Sequence, residues 1–381
     1  MNKTLHVGLD VGSTTVKIIV MDENQNTIYK DYQRHFSDTK NTVCNVLENL
    51  AKMFPENTFT IALTGSGAMS ASKFLGVEFI QEVVSCKRSV EKYIPQTDVV
   101  IELGGEDAKI IYFDKSIEQR MNGTCAGGTG AFIDQMASLL HTDTAGLNEL
   151  AKNYQTIYPI ASRCGVFAKT DIQPLINEGA AKEDIAASIF QAVVNQTISG
   201  LACGRPIRGN VAFLGGPLSY LSELRKRFIE TLNLTPDEVI VPEEAHLLVA
   251  KGAALDSLNT KPITVEELKQ KIENLRNSQD NTTHPIEPLF KNEKEYAEFK
   301  ERHDKAKVER TEISTYEGDC YLGIDAGSTT TKLVLIDKDG KLLYSLYGSN
   351  EGNPLKSVMN MLKKLYEILP EKATLRYSGV T

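Results

Sequence analysis

The chain has 381 residues, 41% hydrophobic and 24% charged, which suits two or three globular domains that fold without disulfide or metal support. A net charge of −8, with no basic run, argues against a phosphate-backbone binder, so no nucleic-acid role is expected. No stretch reaches the roughly 18 apolar residues of a membrane span, and the N-terminus opens directly on a strand pattern without a signal-peptide core. The expectation is therefore a cytoplasmic protein with no membrane role.

In chain order, residues 5–10, 16–21 and 27–34 read as three short strands, with the polar turn DENQN between the second and third. Residues 42–54 have helical spacing (Val43, Val46, Leu47, Leu50, Ala51) and stop before Pro55. A strand is predicted at 58–63, a helix at 85–93, a buried strand at 98–103 and a return strand at 110–113. Helices follow near 128–140, 163–178 and 183–203, then a strand at 210–214 and helices at 220–231 and 245–256. The alternation predicts an α/β fold with mixed sheets. From 257 to 318 the composition changes: ENLRNSQDNTTHPIEP is polar and breaker-rich, and EKEYAEFKERHDKAKVER is densely charged. These predict a linker and a solvated helix.

The chain repeats itself. His6 to Tyr29 aligns without a gap to Tyr321 to Tyr344, at an offset of 315, with nine of 24 positions identical. Six of the nine are Asp10, Gly12, Ser13, Thr14, Thr15 and Lys17, matched by Asp325, Gly327, Ser328, Thr329, Thr330 and Lys332. The expected organisation is a first module at 1–256, a linker at 257–318 and the opening of a second copy at 319–381, within a longer polypeptide.

Asp10 to Thr15 falls between two strands and is therefore a hairpin tip. Gly12 is expected to supply positive φ and close backbone approach, while Ser13, Thr14 and Thr15 offer donors suited to phosphate oxygens. Asp10 can hold magnesium through water. A second strand runs into Gly104-Gly105, flanked by Glu102, Glu106 and Asp107, and is expected to face the first tip across a cleft. A third runs into Gly215-Gly216-Pro217 and a helix, which suits a nucleoside packed against bare backbone. Each pair of glycines alone most often marks a tight turn. Three tips in this order are more specific, and they resemble the ATPase superfamily of sugar kinases, DnaK-type chaperones and actin. The resemblance implies two RNase-H-like subdomains closing on ATP, followed here by the start of a second copy.

Six cysteines occur, none in a C-x-x-C pattern, so zinc fingers and thioredoxin-like chemistry are not expected. Cys44, Cys86, Cys203 and Cys320 read as small buried hydrophobes within helices or strand flanks. Cys125, in NGTCAGGTG before an amphipathic helix, and Cys164, in SRCGVF, have little local apolar surface. Thiolates near exposed N–H groups suit an iron–sulfur cluster, and two ligands require a matching pair. GTCAGGTGAFID and ASRCGVFAKTDI resemble the two cluster motifs of the activators of 2-hydroxyacyl-CoA dehydratases and benzoyl-CoA reductases. That resemblance implies ATP/ADP, Mg2+ and a [4Fe-4S] cluster held by Cys125 and Cys164. It also implies a homodimer or an intramolecular pseudo-dimer, an electron donor such as ferredoxin or flavodoxin, and an acyl-CoA dehydratase or reductase as partner. Nucleotide would lie on Gly12, Ser13, Thr14, Thr15, Gly104, Gly105, Gly215, Gly216 and Pro217, with Asp10 and Glu102 on the magnesium side and Asp10 and Glu106 catalytic. The family's small activators usually have Asp and Gln where this chain has Glu102 and Glu106. A sugar or carboxylate kinase, or an actin- or chaperone-like scaffold, are the rival readings within the superfamily.

Overall fold

The computed structural model describes residues 3–113, 117–122, 129–162, 165–278 and 287–381. In chain order the elements are β1 (Thr4–Val11), β2 (Thr15–Met21), β3 (Thr27–Arg34), α1 (Thr39–Met53), β4 (Thr58–Thr64), α2 (Ala68–Leu75), β5 (Glu78–Phe79) and α3 (Glu82–Tyr93). They continue with β6 (Val99–Leu103), β7 (Ala108–Phe113), β8 (Ile117–Met121), α4 (Gly130–Leu139), α5 (Thr144–Ala151), α6 (Gly165–Asn177) and α7 (Lys182–Thr197). Next come β9 (Val211–Leu214), α8 (Gly216–Tyr220), α9 (Ser222–Leu232), β10 (Val239–Ile240), α10 (Leu248–Ser257) and α11 (Val265–Arg276). The last are α12 (Glu293–Asp304), β11 (Gly318–Ala326), β12 (Thr330–Asp337), β13 (Leu342–Ser349), α13 (Pro354–Ile368) and β14 (Ala373–Val380). Contacts group residues 1–171 with 181–279, and residues 172–180 with 280–381.

The first unit holds two sheets of one topology. The order β3-β2-β1-β4-β5 recurs as β8-β7-β6-β9-β10, each opening with an antiparallel hairpin and continuing with parallel strands. This is the pair of RNase-H-like halves of the actin and sugar-kinase fold. β1 is buried almost throughout because both faces are covered. Leu5, Val7, Leu9 and Val11 join α1, α2 and α11 in one core. On the opposite face α10 lies directly against the strand: a Cβ on Gly8 would fall 2.2 Å from the backbone of both Ala250 and Ala254. α10 meets α3 just as closely, since a Cβ on Gly252 would fall 1.8 Å from the Ser85 carbonyl oxygen. Glycine and alanine on α10 thus let one helix bridge the two halves.

Three sequence expectations change. The first unit does not stop at 256: α11, inside the expected linker, begins with a Thr264–Glu267 capping box and buries Val265, Leu268, Ile272 and Leu275 in the β1 core. The residues between 64 and 82 and around 120 and 148 carry α2, β8 and α5, which were not predicted. The stretch Lys182–Ala202 is long and apolar enough to cross a membrane by length and composition, contrary to expectation, yet 67% of its apolar 18-residue window is buried within the fold. That is the signature of a core helix.

The second unit's sheet runs β13-β12-β11-β14, matching β3-β2-β1-β4, with α13 over its core of Cys320, Leu322, Ile324, Leu333, Leu335 and Leu365. α12 buries no residue and carries the spaced pair Lys294–Glu298, and its Glu301 reaches Lys305 at the helix end.

Candidate functional site

The two long hairpins meet tip to tip. In the first, Gly12 N–H donates to Thr15 O at 2.9 Å, leaving Ser13 and Thr14 as the loop. In the second, Gly104 N–H donates to Asp107 O at 2.8 Å, leaving Gly105 and Glu106. A Cβ on Gly105 would lie 2.2 Å from Thr14 Oγ1, so a side chain there would push the tips apart. Gly215 carries the third tip at φ +86, where its added Cβ would fall 2.1 Å from Leu103 O. Only glycine fits that position. Gly12 corrects the expectation made for it: it is absent from the positive-φ residues, and its added Cβ would meet Thr15 O only at 3.6 Å.

Around this junction lie two cavities. One is lined by Thr14, Thr15, Lys17, Tyr32, Arg34, Gly104, Gly105, Gly130, Asp134, Gly216, Pro217 and Tyr220. It therefore collects six of the nine residues expected to hold nucleotide. Ser13 and Glu106 line the second cavity, with Ser66, Gln81, Glu82, Asp107, Lys109, Gln119 and Asn122. Gly12 and Gly215 line neither, and Gly215 acts through backbone shape. Beside Gly216 the rings of Tyr32, Tyr220 and His246 cluster with centroids 5.1 to 6.2 Å apart. Burial, helped by Lys17, Lys30 and Lys251, pushes His246 down to about 4 and leaves it neutral near pH 7.

Charge is concentrated behind the tips. Asp10 is 1% exposed and its Oδ2 lies 2.6 Å from Lys17 Nζ, its cross-strand neighbour. Burial opposes the Lys17 charge, but Asp10 and then Glu102 outweigh it and hold the ammonium above the ordinary lysine range. Lys109 is likewise raised against burial, by Glu102, Glu82 and Asp107, and it bonds Glu82 at 2.7 Å and Asp107 at 2.6 Å. Burial raises Glu102, and its Oε2 has no hydrogen-bond partner. Burial also pushes Glu82 up to about 7, with Glu102 adding to the effect.

Among the described residues no three His, Cys, Asp or Glu side chains converge on a metal position. The orphaned Glu102 oxygen, in a carboxyl group that feels the Asp10 charge, nevertheless fits a hydrated cation held mainly by water and phosphate, as magnesium prefers. Cys125 and Cys164 lie outside the described residues. Of the four cysteines read as buried, Cys44, Cys86 and Cys320 are, whereas Cys203 is exposed at φ +46 after a π-helical turn. As the left-handed residue that caps this turn, Cys203 lies past the buried Leu201 and Ala202.

Residues 7–256 match the BadF/BadG/BcrA/BcrD ATPase family. The chain belongs to this family of ATPases. It is 30% identical over 269 residues to the 2-hydroxyisocaproyl-CoA dehydratase activator of Clostridioides difficile, covering 69% of this chain and 98% of that protein. It is 32% identical over 216 residues to the (R)-2-hydroxyglutaryl-CoA dehydratase activating ATPase of Acidaminococcus fermentans, covering 55% and 82%. The crystal structure of component A of the latter dehydratase superposes with a TM-score of 0.58 at 26% identity, covering 70% of this chain and 99% of that one. The Clostridium difficile activator with bound ADPNP gives 0.57 at 26% identity, covering 73% and 100%.

Sequence reasoning gave this ATPase its tips but missed Lys109, Glu82, Tyr32, Arg34, Asp134 and Tyr220. For Lys109 a signal existed: DVGSTTVK and ELGGEDAK both place a lysine seven residues after the acid, the spacing that makes them cross-strand partners.

Proposed function

We propose that the ATPase binds Mg-ATP between its hairpin tips, hydrolyses it slowly, and uses it to drive a low-potential electron through an iron–sulfur cluster into an acyl-CoA dehydratase- or reductase-type enzyme. The observation that carries the nucleotide site is the tip-to-tip junction of Thr14 and Gly105, with Gly216 and Pro217 lining the same cleft. The backbone N–H groups of both tips and the hydroxyls of the first meet the phosphates, and the ring cluster beside Gly216 receives the base. Magnesium, when bound, neutralises charge developing on the phosphoryl oxygens. Asp10, fixed by Lys17, and Glu102 accept hydrogen bonds from its water shell, and Glu106, on the rim of the second cavity, orients the attacking water.

Cys125 and Cys164 hold the cluster together with an equivalent pair from a second subunit or from a second module of a longer chain. A ferredoxin or flavodoxin supplies the electron. Support for coupling comes from α4, whose first N–H groups, on Gly130 and Ala131, donate to Gly104 O at 3.0 Å and Gly105 O at 2.7 Å. The segment containing Cys125 therefore runs into a helix anchored on the second phosphate tip.

Anaerobic purification with iron, sulfide and absorption analysis tests the cluster. Cys125→Ala or Cys164→Ala should abolish its absorbance, and Cys44→Ala or Cys203→Ala should leave it intact. Asp10→Asn should lower hydrolysis far more than ATP binding, because its role grows as transition-state charge develops. Loss of the cluster in the Cys203 variant alone, or equal hydrolysis by Asp10→Asn at saturating ATP, contradicts the assignment. Appearance of a phosphorylated sugar or carboxylate would favour a kinase instead.

A further inference from the structure

Three hairpins in this chain place an acid opposite a lysine seven residues on: Asp10 with Lys17, Glu102 with Lys109, and Asp325 with Lys332. In the first and third the lysine bonds that acid, at 2.6 and 2.8 Å. In the second it does not. Lys109 instead lies between Glu82 Oε1 at 2.7 Å and Asp107 Oδ2 at 2.6 Å, and Glu102 Oε2 is left buried without a partner. An orphaned buried carboxylate oxygen is costly, so its persistence needs a cause and a use.

The cause is Glu82. It is the first residue of α3, a helix held in place by the close approach of Gly252 to Ser85, and it draws the Lys109 ammonium away from the strand partner. Four carboxylates, Asp10, Glu82, Glu102 and Asp107, thus share two ammonium groups, Lys17 and Lys109. The cluster lacks positive charge, and Glu102 is the member with an oxygen to spare.

We propose that Glu82 is a positioning residue for the cation that accompanies the nucleotide: by holding Lys109 against Asp107 it keeps the Glu102 oxygen free to accept from that cation's water shell. The inference rests on the reading of Glu102 as a magnesium-side carboxylate. In Glu82→Gln the ammonium has one anionic partner fewer on the α3 side and turns to Glu102, as Lys17 turns to Asp10.

The test is Mn2+ binding followed by electron paramagnetic resonance in the presence of ADP, on the full chain. Glu82→Gln should weaken Mn2+ about 10- to 100-fold, the usual effect of losing an outer-shell partner, while ADP affinity without divalent cation changes less than about twofold. Glu82→Asp, which keeps the charge on a shorter stem, should fall between parent and Gln. Adding Lys109→Met to Glu82→Gln removes the competing ammonium and should restore most of the affinity. A purely structural role for Glu82 predicts the reverse, a further loss in the double variant. Parent-like Mn2+ affinity in a folded Glu82→Gln, or no recovery in the double variant, overturns the proposal. Absence of any nucleotide-dependent Mn2+ site in the parent overturns the magnesium reading itself, and so is distinguishable.

Discussion

The hairpins around Asp10 and Asp325 share their tip residues, yet they sit in different surroundings. The side chains of Lys17 and Asp10 are 13% and 2% exposed, whereas those of Lys332 and Asp325 are 41% and 45% exposed. Gly8 is pressed against α10, whereas an added Cβ on Gly323, its counterpart, meets nothing described within 4 Å. Even the second-tier contact recurs with a new residue. His35 Nε2 contacts Gly12 O at 3.2 Å in the first copy, and the Asn350 side-chain amide donates to Gly327 O at 2.5 Å in the second. A short sequence match therefore specifies the local tip, while its energetic weight comes from what the rest of the fold packs around it.

The largest separation should appear on removing the lysine. Lys17→Met leaves Asp10 buried without its partner and should cost about 3–5 kcal/mol of stability, as broken buried pairs do. Lys332→Met breaks a solvent-exposed pair and should leave the urea midpoint of its unit unchanged within error. Equal losses in the two variants would contradict the contrast. Next comes Gly8→Ala, whose methyl group must displace α10 backbone, at about 1–3 kcal/mol or more. Gly323→Ala has room and relieves the entropic cost of a strand glycine, so it should be neutral or slightly stabilising.

The same contrast explains what was legible in the sequence. The tips were readable because Asp, Gly, Ser and Thr at fixed spacing are a local matter, as were strands such as β1, where Leu5, Val7, Leu9 and Val11 recur at every second position. α2 and α5 escaped because they are eight residues each, two turns, too short for a periodic signal. α11 escaped for a different reason. Its polar residues dominate its composition, and only the spacing of Val265, Leu268, Ile272 and Leu275 marks a buried stripe, one that matters once α1 is there to receive it. Lys109 and Glu82 could not be paired from sequence because they belong to different elements, joined only when α3 packs on the second sheet. Cys203 was misread because it is the left-handed cap after the helix and not part of it, a boundary that the apolar spacing did not mark.

Titration offers a third separation. Glu82 is pushed up from the ordinary carboxyl value of 4.5 to about 7, mainly by burial, then by Glu102, with Asp10 and Asp107 adding to it and Lys109 opposing. The folded chain therefore binds this proton more tightly than the unfolded chain. Stability should fall as pH rises from about 4.5 to about 7 and level off above, by about 3 kcal/mol for this group. Glu102, also raised, adds slope in the same direction. Urea melts across that window should show a shallower fall in Glu82→Gln. An unchanged slope would mean that Glu82 ionises freely in the fold.

The smallest effect concerns the outer strand of each hairpin. Along β3, Lys30, Tyr32 and Arg34 project at alternate positions and reach Glu244, Tyr220 with His246, and Asp134. At the offset of 315 the second copy has Ser345, Tyr347 and Ser349, so it keeps the ring and loses both charges. Arg34 and Asp134, 3.1 Å apart, are 53% and 43% exposed, and a pair this open contributes at most about 1 kcal/mol. Arg34→Ser, which copies the second hairpin, should therefore shift the melting midpoint by no more than a few degrees. Both residues nevertheless line the cleft that holds Thr14 and Gly105, where a guanidinium is well suited to phosphate. ATP affinity should fall more than stability does, and the deficit should shrink as salt is raised and the parent's advantage is screened. A variant that loses stability but binds ATP as the parent does would mark Arg34 as a clasp between the two halves and remove it from the nucleotide site.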